Sequence, residues 1–172
     1  MDARDAVLRE WSDRLEFPTA GHWTVNAIQP VIKEWVGRQF GVVSFHLTQV
    51  LSGHGCFGKY LCERSKREPT PACHHCNSIE DTAQHTLAEC PGWEEHRNEL
   101  VAVVGGDLSL QAIIKTMTQN KTCFKAMISF CEAVMAEKEL AERAREEDID
   151  AHPLRRKRAG RRRVAHDRRL PP

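Results

Sequence analysis

The chain has 172 residues, 41% hydrophobic and 28% charged, with a formal net charge of +1. That length suits one ordinary domain with a short appendage, and no apolar run approaches the ~18–20 residues that span a bilayer. The net charge averages two unlike parts: residues 151–172 hold nine Arg or Lys against a single acid, Asp167, whereas residues 1–150 hold 16 basic and 23 acidic residues.

The opening "MDARDAVLREW" has mixed charge and no apolar block, so no secretory signal is expected. Residues 2–17 read as an amphipathic helix with Ala3, Val7, Trp11 and Leu15 on one face, ended by Pro18 and Gly21. A second helix contains Ile28, Ile32, Trp35 and Val36, with Pro30 in its first turn. Ser44 is placed to cap a short helix that stops near Gly53. Residues 56–64 form another short helix, and the loop "REPTPA" leads to Cys73. Further on, Trp93, Val101, Val103 and Val104 predict a helix ending at Gly105 and Gly106. Ser109 to Met117 is a short helix. Asn120 then caps a long one through Phe124, Met127, Ile128, Cys131, Val134 and Met135. Beyond Leu140 the apolar positions run out, and "AERAREEDID" reads as a solvated helix end before Pro153.

No strand and no fixed-period repeat is predicted. The expected fold is mainly α: short helices around one CCHC zinc-knuckle-like module, a long C-terminal helix and a disordered basic tail. The expected segments are a helical stretch over 1–70, the module over 71–93, a helical stretch over 94–150 and the tail over 151–172.

The module is carried by "CHHCNSIEDTAQHTLAEC", with the spacing Cys73-x2-Cys76-x8-His85-x4-Cys90. Two cysteines two residues apart direct both sulfurs at one metal from a tight turn, for which Pro71 and Asn77 are suitable flanks. His85 and Cys90 fall on a short helix beginning near Asp81, with Thr82 in its first turn and Pro91-Gly92 at its end. Three thiolates and one imidazole close a tetrahedral shell that suits one zinc ion, and a closed shell makes that zinc structural. The competing reading makes the cysteines small buried hydrophobes. His74 and His75 are expected to face solvent. Cys56, Cys62, Cys123 and Cys131 lack a Cys-x2-Cys partner and are read as core. Seven cysteines, an odd number, do not suggest a disulfide framework.

Catalytic patterns are missing. No lysine follows an acid by two positions, and there is no Asp-Asp pair, no complete Gly-x-x-x-x-Gly-Lys-Ser/Thr phosphate loop (Gly53 to Lys59 is followed by Tyr60), no Gly-x-Ser-x-Gly elbow and no His-x-Glu. Catalysis by this segment alone is therefore not expected. In the tail, "RRKRAGRRR" gathers Arg155, Arg156, Lys157, Arg158, Arg161, Arg162 and Arg163 with no apolar neighbour to bury, so it is expected to be disordered in isolation. Such a cluster neutralises phosphates or serves as a nuclear-import signal; the plainer reading is a solvated tail.

"FHLTQVLSGHGCFGKYL" followed by the cysteine pattern and "CPGWEEHRNEL" resembles the C-terminal region of non-LTR retrotransposon reverse transcriptases, in particular of the type-1 elements that insert into arthropod ribosomal RNA genes. The upstream "HWTVNAIQPVIKEWVGRQFGVVSFHLTQ" extends the resemblance, which covers about residues 4–135. It implies a piece of a polyprotein whose reverse transcriptase and endonuclease domains have no counterpart here. It carries the zinc ligands onto Cys73, Cys76, His85 and Cys90, and it lends no support to a role for the tail. The expected task is holding template RNA or target DNA during target-primed reverse transcription, with Lys59, Arg64, Lys66 and Arg67 meeting phosphates. The expected partners are nucleic acid and the reverse transcriptase domain of the same polyprotein, with no membrane. The expected location is the nucleus or nucleolus after cytoplasmic synthesis. A different class of reading makes the module a protein-interaction scaffold, because an acidic body is repelled by phosphate at long range.

Overall fold

A computed structural model describes residues 3–155. Among them the chain is mainly helical, with no strand, and no helix is long and apolar enough to cross a membrane. Eight helices follow in order: α1 (Ala3–Arg14), α2 (His22–Ile28), α3 (Ile32–Gly37), α4 (Phe45–Ser52), α5 (Gly58–Glu63), α6 (Glu94–Val104), α7 (Leu110–Gln119) and α8 (Lys121–Glu147).

The helix starts follow the capping residues. The Ser44 hydroxyl accepts the Leu47 N–H at 3.2 Å, that of Ser109 accepts the Ala112 N–H, and Asn120 Oδ1 accepts the Thr122 N–H at 2.7 Å. Each satisfies one of the donors that a first helical turn leaves without a partner. Gly53 ends α4 in the left-handed region at φ +69°.

The core gathers around α8, which packs against α4, α6 and α7. Phe124, Met127, Phe130, Cys131, Val134 and Met135 of α8 meet Leu47, Val50 and Leu51 of α4. Leu100 of α6 and Ile113, Ile114 and Met117 of α7 complete that face.

Three expectations need correction. In α1 only Leu8 is buried, while Val7 and Trp11 of the predicted apolar face are nearly half exposed. The helix lies at the edge of the fold against α3, tied by Arg4 to the Val36 carbonyl, so a full stripe has nothing to pack on. At Pro30 the predicted single helix is two, joined by a 3-10 turn (Gln29–Val31) with Pro30 at its start. The missing N–H and the ring of proline break the α-ladder there. Finally, the end of α8 is not simply solvated. Leu140, the last apolar position of the pattern, is exposed, whereas Lys138 and Glu142 are buried and Glu146 pairs with Arg67. This part of α8 meets the cysteine-bearing segment through Lys138 at Asp81, and Arg67 just before it through Glu146. Of the tail, residues 153–155 form one 3-10 turn; the expectation for 156–172 lies outside the described residues.

Candidate metal centre

The two halves of the cysteine motif are held differently. Gly58, at the start of α5, lets the loop before Cys73 pass directly over it. A Cβ at Gly58 would lie 2.5 Å from the Ala72 carbonyl oxygen and 2.7 Å from that of Pro71, so only glycine fits. The loop is pinned by Asp81 N–H to Pro71 O and Lys59 N–H to Asp81 O, at 2.8 and 3.0 Å. The turn carrying Cys73 and Cys76 closes through Cys73 N–H to Ser78 O at 2.8 Å and Asn77 N–H to Cys73 O at 2.9 Å. Asn77 sits at φ +59°, a region asparagine tolerates better than most residues.

On the other half, the Thr82 hydroxyl accepts the His85 N–H at 3.0 Å. The short helix expected here then widens into a π-turn (His85–Glu89), closed by Cys90 N–H to His85 O at 2.8 Å. In a regular α-helix a residue five further on lies about 140° around the axis. The wider turn brings Cys90 back toward the side of His85, in keeping with the occurrence of such turns at functional sites.

The result is one cluster. Cys73 Sγ and Cys90 Sγ are 3.9 Å apart, Cys76 Sγ and His85 Nε2 are 3.2 Å apart, and all four ligand atoms lie within 4.8 Å of one another. Zinc–sulfur bonds of about 2.3 Å give tetrahedral edges of about 3.8 Å, so the set fits a four-coordinate ion. It is the one such group among the described residues. Cys73, His85 and Cys90 are buried, and Cys76 is half-buried.

Burial pushes the Cys73 thiol up and the Cys90 thiol up to about 12. Burial opposes ionisation of Cys76 too, but the Ser78 N–H and His85 bring its thiol below the ordinary value. Backbone N–H groups of Gly92, Ser78, His75 and Cys76 face the sulfurs. Such a site needs a cation to hold three thiolates, and the N–H groups then share their charge.

Surrounding residues orient the ligands. His85 Nδ1 lies 3.3 Å from Glu89 Oε2, which leaves Nε2 for the metal. Arg97 donates to the carbonyls of Leu87 and Cys90. The His75 ring packs against Trp93 in a tilted contact, centroids 4.5 Å apart, and burial lowers its pKa to about 4. His75 therefore does not face solvent as expected. His74 is exposed, but its Nε2 lies 3.2 Å from Glu68 and 2.9 Å from Arg155. Cys123 and Cys131 are buried, and Cys56 and Cys62 are half-buried.

Sequence reasoning missed Asp81 and Lys138, although a signal existed. Lys138 continues the buried register of Cys131, Val134 and Met135, and a charge in such a register needs a buried partner.

The candidate phosphate-binding cations divide. Lys59 pairs with Glu80 at 2.8 Å, Arg67 with Glu146, and Arg155 with Glu68. Arg64 and Lys66 are exposed just after α5. Arg156, Lys157, Arg158, Arg161, Arg162 and Arg163 lie outside the described residues.

The chain is similar to a retrovirus-related Pol polyprotein from the type-1 retrotransposable element R1 4 of Nasonia vitripennis, with 28% identity over 117 residues. The match covers 68% of this chain and 29% of that protein, so the chain corresponds to less than a third of its relative. No family model and no solved structure matches.

Proposed function

We propose that the chain is the C-terminal, zinc-binding and nucleic-acid-binding segment of a retrotransposon reverse transcriptase/endonuclease polyprotein, which holds template RNA or target DNA during target-primed reverse transcription. The observation that carries this reading is the Cys3His cluster, ready-formed at tetrahedral spacing in a chain similar to a retrotransposon Pol polyprotein. Zinc suits the donor set, and four protein ligands leave no position for a reacting water, so the ion stabilises the fold. Cys73, Cys76, His85 and Cys90 hold it. The exposed Arg64 and Lys66, together with the basic segment, supply the charge that meets phosphate. The reverse transcriptase domain of the same polyprotein is the second partner, and the place of action is the nucleus.

One observation favours a second reading. Lys59, Arg67 and Arg155 already carry acidic partners, which reduces the positive charge the body offers and suits a zinc-stabilised scaffold that contacts nucleic acid only through its tail. Fluorescence anisotropy of the zinc-loaded full chain against an RNA hairpin and a DNA duplex, over a range of salt, tests both. The first reading expects binding that weakens with salt and falls sharply on chelation. Binding indifferent to chelation supports the tail-only version, and no binding at all overturns both.

A further inference from the structure

Glu68 stands five positions before the ligand Cys73, and its side chain is fully buried. Its place is fixed from the backbone: the N–H groups of Arg67 and Glu68 both donate to the carbonyl of Leu61, itself a core residue. One carboxylate oxygen, Oε1, takes both of its side-chain contacts. His74 Nε2 lies 3.2 Å from it, and the Arg155 guanidinium pairs with it while lying 2.9 Å from His74 Nε2. Glu68 Oε2 and Arg155 Nε are buried without partners, so the carboxylate depends on its contacts at Oε1. The Arg155 side chain is nine-tenths covered, and its N–H donates to the His152 carbonyl at 2.8 Å, closing the 3-10 turn (Pro153–Arg155).

These contacts bring a residue from beyond α8 onto the metal-binding turn, because His74 lies between the ligands Cys73 and Cys76. Removing one partner of a buried ion pair leaves an uncompensated charge. Loss of Arg155 therefore unsettles Glu68, and with it the anchor of His74.

We infer that the turn Pro153–Arg155 is a strap that closes the metal module: Arg155, acting through Glu68 and His74, positions the turn of Cys73 and Cys76 and slows release of the ion. This rests on the metal reading of the Cys3His cluster. The module is then not a self-contained stretch over 71–93, since its grip depends on a residue that follows the last helix. The coupling is reciprocal, so a bound ion also favours the docked strap.

Transfer of zinc from the loaded full chain to a chromophoric chelator reads the effect. Arg155→Ala should release zinc several-fold faster than the wild type. Arg155→Lys keeps the charge but loses the forked guanidinium, and its rate should fall between the two. Leu8→Ala in α1 is the control: it removes a buried side chain at the edge of the fold without touching Glu68 or a ligand, and should release zinc at the wild-type rate. A trypsin time course on the loaded proteins, read by mass spectrometry, gives a second readout. The bond after Arg155 should be cut more slowly in the wild type than in Glu68→Gln, where the guanidinium has lost its carboxylate.

Equal zinc release by the wild type and Arg155→Ala overturns the strap and leaves the metal reading intact. An acceleration by Leu8→Ala as large as that by Arg155→Ala does the same, because it reduces the effect to general loosening. Equal cutting after Arg155 in the wild type and Glu68→Gln also overturns the strap. A wild type that takes up no zinc overturns the metal reading, and the strap with it.

Discussion

Lys138 Nζ lies 2.8 and 3.1 Å from the two carboxylate oxygens of Asp81, and both side chains are almost completely buried. Thr86 Oγ1 is 3.3 Å from the same ammonium, and the Gly58 N–H donates to Asp81 Oδ2 at 3.0 Å. Phe57 and Trp93 present their rings to Nζ at 5.2 and 5.9 Å. One ion pair thus joins α8, the start of α5 and the loop between the two halves of the metal motif. Its geometry supplies the added hydrogen bonds that a buried pair needs to offset its desolvation.

Removing one partner should therefore be severe. Lys138→Ala is expected to destabilise the zinc-loaded protein by about 3–5 kcal/mol, because it leaves the Asp81 carboxylate buried and unpaired. The double variant Asp81→Asn/Lys138→Met should recover part of that loss. Urea unfolding of the three proteins checks this. A Lys138→Ala protein as stable as the wild type would show that the pair carries no structural weight.

The metal should decide whether the motif is ordered. Cys76→Ser is expected to lose the bound zinc, since metal binding of this type is worth about 10–16 kcal/mol in small peptides at neutral pH. Trp93 packs on His75, between two ligands, so chelation should also change tryptophan fluorescence. Metal analysis of the purified variant settles the point, and a full complement of zinc would remove Cys76 from the ligand set.

Gly58 gives a test that touches neither ligand nor charge. Gly58→Ala would place a methyl group 2.5 Å from the Ala72 carbonyl oxygen. Because the obstruction is backbone, relief requires moving the loop that delivers Cys73. The expected result is destabilisation of about 1–3 kcal/mol, the usual range for overpacking, together with weaker zinc retention. Thermal unfolding and a zinc-competition titration measure the two effects. Unchanged values in both would mean that the loop moves freely.

These residues show what a one-dimensional reading can reach. The caps at Ser44, Ser109 and Asn120 were legible because capping is chemistry between residues two or three apart. The grouping of Cys73, Cys76, His85 and Cys90 was legible because a metal imposes a spacing on a short segment. The π-turn at His85 was not, since which ladder forms depends on where Cys90 must go. Nor was the buried side of α1, where Leu8 prevails over Val7 and Trp11 because the helix sits at the edge of the fold, against α3 and the turn at Gln29. The partners of Arg67, Lys138 and Arg155 lie 79, 57 and 87 positions away, and no local pattern names a partner at that range.

The junction between α4 and α8 should respond to acid in a predictable direction. Glu132 of α8 accepts from the Ser44 hydroxyl at 2.5 Å and lies 2.6 Å from His46 Nδ1. The Ser44 hydrogen bond, with His46 adding to it, holds the Glu132 carboxyl below its ordinary value of 4.5. A carboxylate whose folded pKa is depressed adds stability that is fully present above its unfolded value and disappears as pH falls through the folded value. Glu132→Gln removes that term. The stability gap between wild type and variant should thus begin to shrink below about pH 4.5 and close at lower pH. Zinc is also lost in acid as the thiolates protonate, but that loss is common to both proteins and cancels in the difference. Since the Glu132 side chain is nearly half exposed, the gap will be small, and chemical denaturation at a series of pH values resolves it better than thermal midpoints. A gap that stays constant through the acid range would show that Glu132 titrates alike in the folded and unfolded chains, and that Ser44 and His46 do not hold its charge.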